Sequence, residues 1–516
     1  MELIKKRIHY VREGKKIFDQ FYVDEEYNVP EAKEDVRRIV DTGTELKIEE
    51  IRPVENYVRI TGKLYFRILY LNVSSDPKPG VLEGKLPFEE MVYAENQEGE
   101  EFYVQNVRIE FTPSLIHSRK LSLRAMVELE VGREKLVDEE TVTDAEGDVP
   151  LYKKMKKVQL LQLEVTKKDT YRIKEEITIP GTKESIGQIL FTDISERKLE
   201  LRPGQDELIV RGELFLFCMY LSGDEKPDWI SQTIPYEGRI PCEGISEEMY
   251  FSIRHTMEDT LTDLRMDEDG EMRILGIEGT LALHMNFYRE ESVELLEDLY
   301  SLQKQCLFDT TEVVCEELLM QNQSKCKVTE RLSLPELKTD VLQILHARGA
   351  IQVEHADRTG EGIRVEGILH LSFLYLRGDD AEPYGSWQGM IPFEHQIECK
   401  EMPEETVYNM EQHIEQLQIT LVGSESVEIK GILTFDTFLR RPVKVWTMEN
   451  VREEPLDLEQ LEKRPSIVGH IVQRGEDLWQ LAKQYMTTKE GIMEVNGMQN
   501  ENVKEGDKLL IFKENM

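Results

Sequence analysis

Three copies of one pattern fill most of this chain and constrain its fold more than any other feature. Landmark residues recur at matching places in each copy: Gly62, Gly212 and Gly367; Tyr70, Tyr220 and Tyr375; Pro30, Pro180 and Pro335; and a proline–aromatic–glutamate trio at 87–89, 235–237 and 392–394. Recurrence at a fixed long period predicts tandem copies of one domain. We place these domains at residues 1–150, 151–305 and 306–450.

Each copy has the pattern of β-structure. The run Leu64–Leu71 follows Gly62 and is aliphatic and aromatic at both odd and even positions. Alternate strand residues point to opposite faces, so this composition predicts a central strand that is covered on both sides. Asp269-Gly270, Ser118–Lys120 and Gly423–Glu425 predict hairpins late in each copy. A short helix is expected after each of Pro30, Pro180 and Pro335, with Glu34–Val40 and Asp340–Leu345 as the helix-compatible segments of the first and third copies. The fold class is mainly β, with three β-sandwich-like domains.

Residues 467–516 have a different pattern. A short β-favouring run ends at Gly475, and Asp477 is placed to cap a helix whose apolar face includes Leu478 and Leu481. Thr487–Glu490 has the capping-box form, and Asn496-Gly497 ends the second helix. Lys508–Phe512 predicts a last strand. The expected order is strand, helix, helix, strand.

This segment resembles the LysM module, through Gly475, Leu478-Trp479, Leu481-Ala482, Asn496-Gly497 and Leu509–Ile511. The resemblance implies binding of peptidoglycan or other N-acetylglucosamine polymers in a groove between two loops. The family aspartate and threonine are here Glu476 and Asp477, and the usual Asn-Pro of the second loop is missing. The residues expected to contact a glycan or a protein partner are Gly475, Glu476, Asp477, Leu478, Trp479, Met498, Gln499, Asn500 and Val503.

The combination of three β-repeats and a final LysM module resembles SipL-type spore coat morphogenetic proteins, which carry SPOCS domains. The resemblance implies a structural protein of the mother-cell cytoplasm that coats the forespore surface. It also implies that the LysM module binds a SpoIVA-like ATPase of the coat. The alternative is a protein that binds peptidoglycan of the cell wall or spore cortex. Acidic loops on the module favour a protein partner with a basic patch, and Glu476→Lys is expected to leave the fold intact.

Composition excludes several other classes of protein. The 516 residues carry a formal net charge of −37, which repels nucleic acid and anionic lipid. The first ten residues contain no apolar core of a signal peptide, and the apolar runs are too short to span a membrane. The six cysteines are scattered, as in a cytosolic protein with reduced thiols.

No catalytic, cofactor or metal site is predicted, and the chain is not expected to be an enzyme. His395 and Cys399 could form a thiol–imidazole pair, but Cys242 and Ala94 at the matching places favour a small buried position. The run 267–271 favours a hairpin over a calcium loop. Residues 451–466 are charged with a proline near each end, which predicts a linker that lets the module at 467–516 act independently. Repeated domains also suit self-assembly.

Overall fold

The computed structural model describes residues 1–95, 98–337, 341–423, 425–457 and 465–513. It is built almost entirely from antiparallel strands, as predicted, with two short α-helices near the end of the chain. No helix in the described part of the chain is long and apolar enough to cross a membrane.

The first repeat contains two sheets. Its strands are β1 (Glu2–Glu13), β2 (Ile17–Asn28), β3 (Val36–Val54), β4 (Tyr57–Asn72), β5 (Pro79–Tyr93), β6 (Glu101–Phe111), β7 (Ser114–His117) and β8 (Lys120–Glu146). One sheet has the order β3-β4-β5, and the other is organised around β8, which pairs with β1, β2, β6 and β7. Buried residues of both sheets, among them Leu64, Phe66, Leu121 and Leu123, form the core of a two-layer sandwich.

The second and third repeats have the same arrangement with fewer, longer strands. The second repeat contains β9 (Tyr152–Thr178), β10 (Ile186–Pro203), β11 (Glu207–Ser222), β12 (Pro227–Pro241), β13 (Tyr250–Met266) and β14 (Met272–Tyr300). The third contains β15 (Lys304–Ser333), a 3-10 turn (Pro335–Leu337), β16 (Val341–Thr359), β17 (Gly362–Arg377), β18 (Tyr384–Glu398), β19 (Val407–Leu421) and β20 (Ser426–Pro455). Their sheets have the orders β10-β11-β12 and β13-β14-β9, then β16-β17-β18 and β15-β20-β19.

The three glycine landmarks occupy one position of the fold. Gly62, Gly212 and Gly367 are each the sixth residue of β4, β11 and β17, and each pairs with the aromatic residue of the proline–aromatic–glutamate trio. The hairpin predicted at Asp269-Gly270 is confirmed, because Met266 pairs with Met272 across it. In the first copy His117 pairs with Lys120 across the predicted turn. In the third, Leu421 pairs with Val427, and Ser424 between them lies outside the described residues.

Both faces of the central strands are covered. One face packs on the other sheet of the same repeat, and the other face packs on a neighbouring repeat. Residues of all three repeats form one apolar cluster, here named the shared core: Val40, Leu69, Leu71, Leu190, Phe191, Phe217, Met219, Leu345, Leu374 and Tyr384. A second shared cluster joins the far halves of the long strands, from Ile8 and Tyr10 to Val158, Val313 and Val445. The third repeat also contacts the first, since the backbone N–H of Val142 donates to Thr447 Oγ1 over 3.0 Å.

The predicted helices and the predicted start of the linker are wrong. The predicted helix at 34–40 is β3 from Val36 on, and the one after Pro180 is a turn that leads to β10. The one at 340–345 is β16 from Val341 on, with Asp340 outside the described residues. Val36 and Val40 are buried in different apolar clusters. Register shifts between Val36 and Arg38 and between Ile39 and Asp41 break the alternation that would place both on one face of β3. Burial on both sides of the strand overrides local helix propensity. The predicted linker also begins too early, because 451–455 belong to β20 and Pro455 pairs with Lys304. Residues 458–464 of that linker lie outside the described residues. The domain division at 150 and 305 stays a prediction.

The C-terminal module has the predicted order of elements. β21 (Ile467–Ile471) pairs with β22 (Lys508–Phe512), and α1 (Leu478–Tyr485) and α2 (Lys489–Asn496) lie between them in sequence. Leu481, Ala482, Ile492 and Ile511 are buried at its centre. We use "the body" below for the three repeats, residues 1–457.

Candidate functional site

The first helix of the module is fixed by its cap. Asp477 is the N-cap residue of α1, and its Oδ1 accepts from the backbone N–H of Gln480 over 2.7 Å. The Gln480 side chain accepts in return from the Asp477 backbone N–H, which completes a capping box. The prediction that Asp477 caps this helix is confirmed. The side chain of this loop residue is therefore already engaged inside the module.

The second helix starts one residue later than predicted. Thr488 is its N-cap residue, and the threonine Oγ1 accepts from the backbone N–H of Gly491 over 3.0 Å. Gly497 ends the helix in the left-handed region at φ 64°, which a glycine adopts without a Cβ clash. The Asn496 side chain donates to the backbone carbonyl of Leu510 over 2.8 Å and so ties α2 to β22.

Glu476 holds the loop before α1 together. Its carboxylate accepts from the backbone N–H of Gln473 over 2.7 Å and lies 2.7 Å from Nε2 of His470. The backbone bond from Gln473, with the imidazole beside it, holds the pKa of Glu476 below its ordinary value. Glu476 is therefore an anchor of the turn, and the expectation that Glu476→Lys leaves the fold intact does not fit these contacts.

Trp479 lies on the outer face of α1 and is buried against the body. Its Nε1–H donates to Asp298 Oδ2 over 2.7 Å, and its ring meets the Tyr300 ring edge to face at 5.0 Å between centroids. One turn further along α1, the Lys483 ammonium donates to Asp298 Oδ1 over 2.5 Å. Asp298 thus accepts from two donors of the same helix face, which is a strong, charge-assisted arrangement.

Further contacts complete this interface. The Tyr300 hydroxyl donates to the backbone carbonyl of Thr487 over 2.9 Å. The Tyr152 ring stacks on Tyr300 at 5.0 Å between centroids, and Lys154 Nζ lies 3.3 Å from Asp477 Oδ2. The module therefore rests on the end of the second repeat, where β9 begins and β14 ends. The expectation of a module that acts independently of the repeats is wrong for this structure.

The groove side of the module remains exposed. Gly475, Gln499 and Asn500 are exposed, and the left-handed backbone of Gly475 at φ 87° has open space where a Cβ would stand. Met498 and Val503 are partly buried against the apolar cluster of the module, and Leu478 is buried within it. The nine predicted residues therefore do not form one surface. Trp479 belongs to the face on the body, and the exposed loop residues belong to the groove.

Sequence reasoning missed the body's half of this interface. Asp298 and Tyr300 lie near the end of a long strand, and nothing in the local sequence distinguishes them from other acidic and aromatic strand residues. Their alternate spacing places both on one face of β14, which is the single signal that pairs them. Lys483 was predictable from the sequence, because it lies four residues after Trp479 on the same helix face.

The contacts of His395 and Cys399 do not support the thiol–imidazole pair that the sequence allowed. His395 Nε2 lies 2.9 Å from Ser324 Oγ, and Cys399 is buried, which raises the pKa of its thiol. The backbone N–H groups of Ala94, Cys242 and Cys399 each donate to the carbonyl of the residue before the facing strand, so the three positions are equivalent in the fold. Among the described residues, no three His, Cys, Asp or Glu side chains are grouped as metal ligands would be.

Comparison with known protein families identifies both kinds of domain. The SipL SPOCS domain matches residues 35–112, 185–265 and 340–422, one segment in each repeat. The LysM domain matches residues 470–512. Both families are non-catalytic binding or structural domains. No curated protein and no solved structure matched the chain.

Proposed function

The chain belongs to the SipL type of protein, with three SPOCS domains and a C-terminal LysM domain, and from this premise we propose that it is a non-enzymatic scaffold of spore coat assembly. Its domains make it a sporulation-associated protein with a peptidoglycan-binding module. In the proposal the scaffold acts in the mother-cell cytoplasm at the forespore surface, and its LysM module binds a SpoIVA-like ATPase of the coat. The nine predicted residues of the module remain proposed contacts for a glycan or a protein. We assign Trp479 to the protein partner and the exposed Gly475, Gln499 and Asn500 to a glycan.

The contacts of Trp479 are the observation that supports a protein partner. The outer face of α1 carries an indole and an ammonium, and both bind a protein carboxylate in this chain. Large aromatic side chains with one polar group contribute most of the binding energy in many protein interfaces. A helix face with this chemistry is suited to a second protein surface, and it is separate from the glycan groove.

The three repeats support the scaffold part of the proposal. Each presents a similar sandwich, and the shared core holds the three in fixed relative positions. A rigid body with similar surfaces can offer several attachment points at once, and multivalent attachment strengthens weak contacts by orders of magnitude.

Glycan binding is kept as the second function because residues of the two loops that would flank a glycan are exposed. Gly475, Gln499 and Asn500 are exposed at the two loops, and the amide side chains offer donors and acceptors without charge. An uncharged glycan gains nothing from the acidic loop residues, so we rank this function below protein binding.

Two variants separate these functions in the full-length chain. We expect Trp479→Ala to weaken binding to the purified SpoIVA-like ATPase by about 10-fold or more, as for an aromatic anchor. Asn500→Arg should weaken binding to chitin oligomers and leave ATPase binding unchanged. Thermal melts of both variants control for folding. The opposite pattern, with tight chitin binding and no ATPase binding by the wild type, would reverse the ranking.

A pull-down from sporulating cells tests the partner without choosing it beforehand. The bait is the full chain, and the matched control is the body alone, ending at residue 457. Capture of the coat ATPase by the full chain and its loss with the body alone is the expected result. Equal capture by both baits would assign the partner to the repeats instead.

A further inference from the structure

We infer that the end of the second repeat, at Asp298 and Tyr300, is a docking site for the LysM module of the same chain, and that a protein bound at Trp479 has to displace this dock. The second half of this inference rests on the proposed function. The dock contacts the first loop at Asp477 but leaves Gly475, Gln499 and Asn500 exposed, so the docked module remains able to bind a glycan through them.

The chemistry of the dock is specific. Asp298 accepts from the indole N–H of Trp479 and from the ammonium of Lys483, with one carboxylate oxygen for each donor. Tyr300, two residues further along β14, packs its ring against the same indole and donates its hydroxyl to the Thr487 carbonyl. The site is therefore an acidic residue and a tyrosine at alternate positions of one strand, so both side chains project from the same face.

Competition follows from the burial of Trp479. Its side chain is 6% exposed in the docked arrangement, so the indole is unavailable to any other protein. A partner at this face would have to replace the interactions of Asp298 and Tyr300. Such a partner should present the same chemistry, an acidic side chain beside an aromatic ring, and not the basic patch that the loop charges favour.

The dock has the composition of a reversible contact. Its polar bonds involve a carboxylate, an indole, an ammonium and a tyrosine hydroxyl, and Lys483 remains 37% exposed at its edge. Contacts between domains of one chain that are small and partly polar allow relative motion of the domains. The two helix caps and the β21–β22 pairing are formed by residues of the module alone, so release of Trp479 leaves these contacts in place.

A cleavable full-length chain tests the dock directly. A specific protease site is placed between residues 458 and 464, and the folded chain is cut and passed over a size-exclusion column. We expect the cut module to elute with the body in the wild type. Asp298→Asn keeps the shape of the side chain but removes its charge, and it should weaken this association by about 10-fold or more. Asp263→Asn, at an exposed ion pair with Arg265 far along the same repeat, is the matched control.

Binding to the coat ATPase tests the competition. The uncut Asp298→Asn chain should bind the ATPase about 5-fold or more tightly than the wild type, because less of its module is docked. Elution of the wild-type module apart from the body, or equal ATPase affinity of the two uncut chains, would overturn the inference. Mixing tagged and untagged copies before cleavage shows whether the module docks on a second copy, which would overturn the same-chain assignment. If neither chain binds the ATPase, the proposed function fails, and the elution profile still decides whether the dock exists.

Discussion

Arg440 lies where the repeats meet, and its charge is enclosed. Its guanidinium donates to Glu316 over 3.1 Å and to Glu13 over 3.0 Å, with the Arg440 side chain 1% exposed. Burial alone would lower the pKa of Arg440, but the two carboxylates outweigh it and raise the pKa. The strand pairing shows that this cluster replaces apolar residues, since Arg440 pairs with Leu318 in the third repeat where Tyr288 pairs with Leu163 in the second.

Removing one member of this cluster should be costly. Arg440→Met leaves the buried Glu316 and the partly buried Glu13 without their cation, and we expect it to lower the free energy of unfolding by about 3–5 kcal/mol. The triple variant Glu13→Leu, Glu316→Leu and Arg440→Met removes all three charges together, and it should lie near the wild type or above it. Urea denaturation of both variants gives the comparison. A triple variant as unstable as the single one would show that the ion cluster itself stabilises the fold.

Glu411 is a partly buried carboxyl group, and its pKa predicts a pH effect. Burial raises the pKa of Glu411 from its ordinary 4.5 to about 7. The folded chain therefore keeps a proton that the unfolded chain releases, so a rise in pH from 4.5 to about 7 lowers the stability contributed by this residue. Glu411→Gln removes that loss. The variant should match the wild type near pH 4.5 and exceed it by about 1–3 kcal/mol at pH 8. Denaturation across this pH range measures it, and a difference independent of pH would contradict it.

At the scale of the elements, each central strand has a glycine over which an aromatic ring of the neighbouring strand packs. A Cβ at Gly62 would stand 2.3 Å from the Lys47 carbonyl oxygen and 2.8 Å from the Phe88 ring. At Gly367 the corresponding distances are 2.3 Å to the Gln352 oxygen and 2.7 Å to the Phe393 ring. The first neighbour is backbone in both copies, so neither strand can move aside without loss of its pairing.

Alanine at this position should therefore destabilise its own sandwich. We expect Gly367→Ala to lower the free energy of unfolding by about 1–3 kcal/mol, as for overpacking of a core. Gly431→Ala in β20 is the matched control, because the closest heavy atom to its Cβ would be 3.7 Å away. Chemical denaturation of the two variants separates crowding from the general preference of strands for larger residues. Equal stabilities would show that the ring and the strand shift to make room.

At the scale of the whole molecule, the repeats are joined by cores that belong to none of them alone. Phe217 of the second repeat is fully buried in the shared core, and it stacks on His346 of the third repeat at 4.3 Å. Arg348 of the third repeat bonds both carboxylate oxygens of Asp41 in the first repeat. These contacts predict that the three repeats unfold together, unlike independent domains on a string.

Phe217→Ala tests this cooperation. A cavity in the shared core should cost about 3–5 kcal/mol, and hydrogen exchange should speed up in β4 and β17 as well as in β11. Trp446→Ala is the control, since that side chain is 55% exposed, and it should change stability by less than about 0.5 kcal/mol. Faster exchange in the second repeat alone would contradict the cooperative unit.

The sequence by itself determined the features that depend on local chemistry and on repetition. The glycine, tyrosine and proline landmarks predicted three copies, and the apolar residues at both odd and even positions of Leu64–Leu71 predicted a strand covered on both sides. The cap at Asp477 and the left-handed glycine at 497 predicted the helices of the module. Each of these depends on residues close in sequence, or on equal spacing along it, so one sequence is enough to identify them.

The tertiary structure alone decided which surfaces meet. Leu69 and Leu71 are apolar in the sequence, but only the packed chain shows that Phe217 and Leu374 of other repeats cover them. The helix expected at 34–40 became strand because its two valines are buried in different cores. Trp479 was named as a contact residue, and only the structure shows that Asp298 and Tyr300, far away in sequence, bind it. Contacts between distant residues depend on the summed packing of the whole chain, and local pattern does not encode that sum.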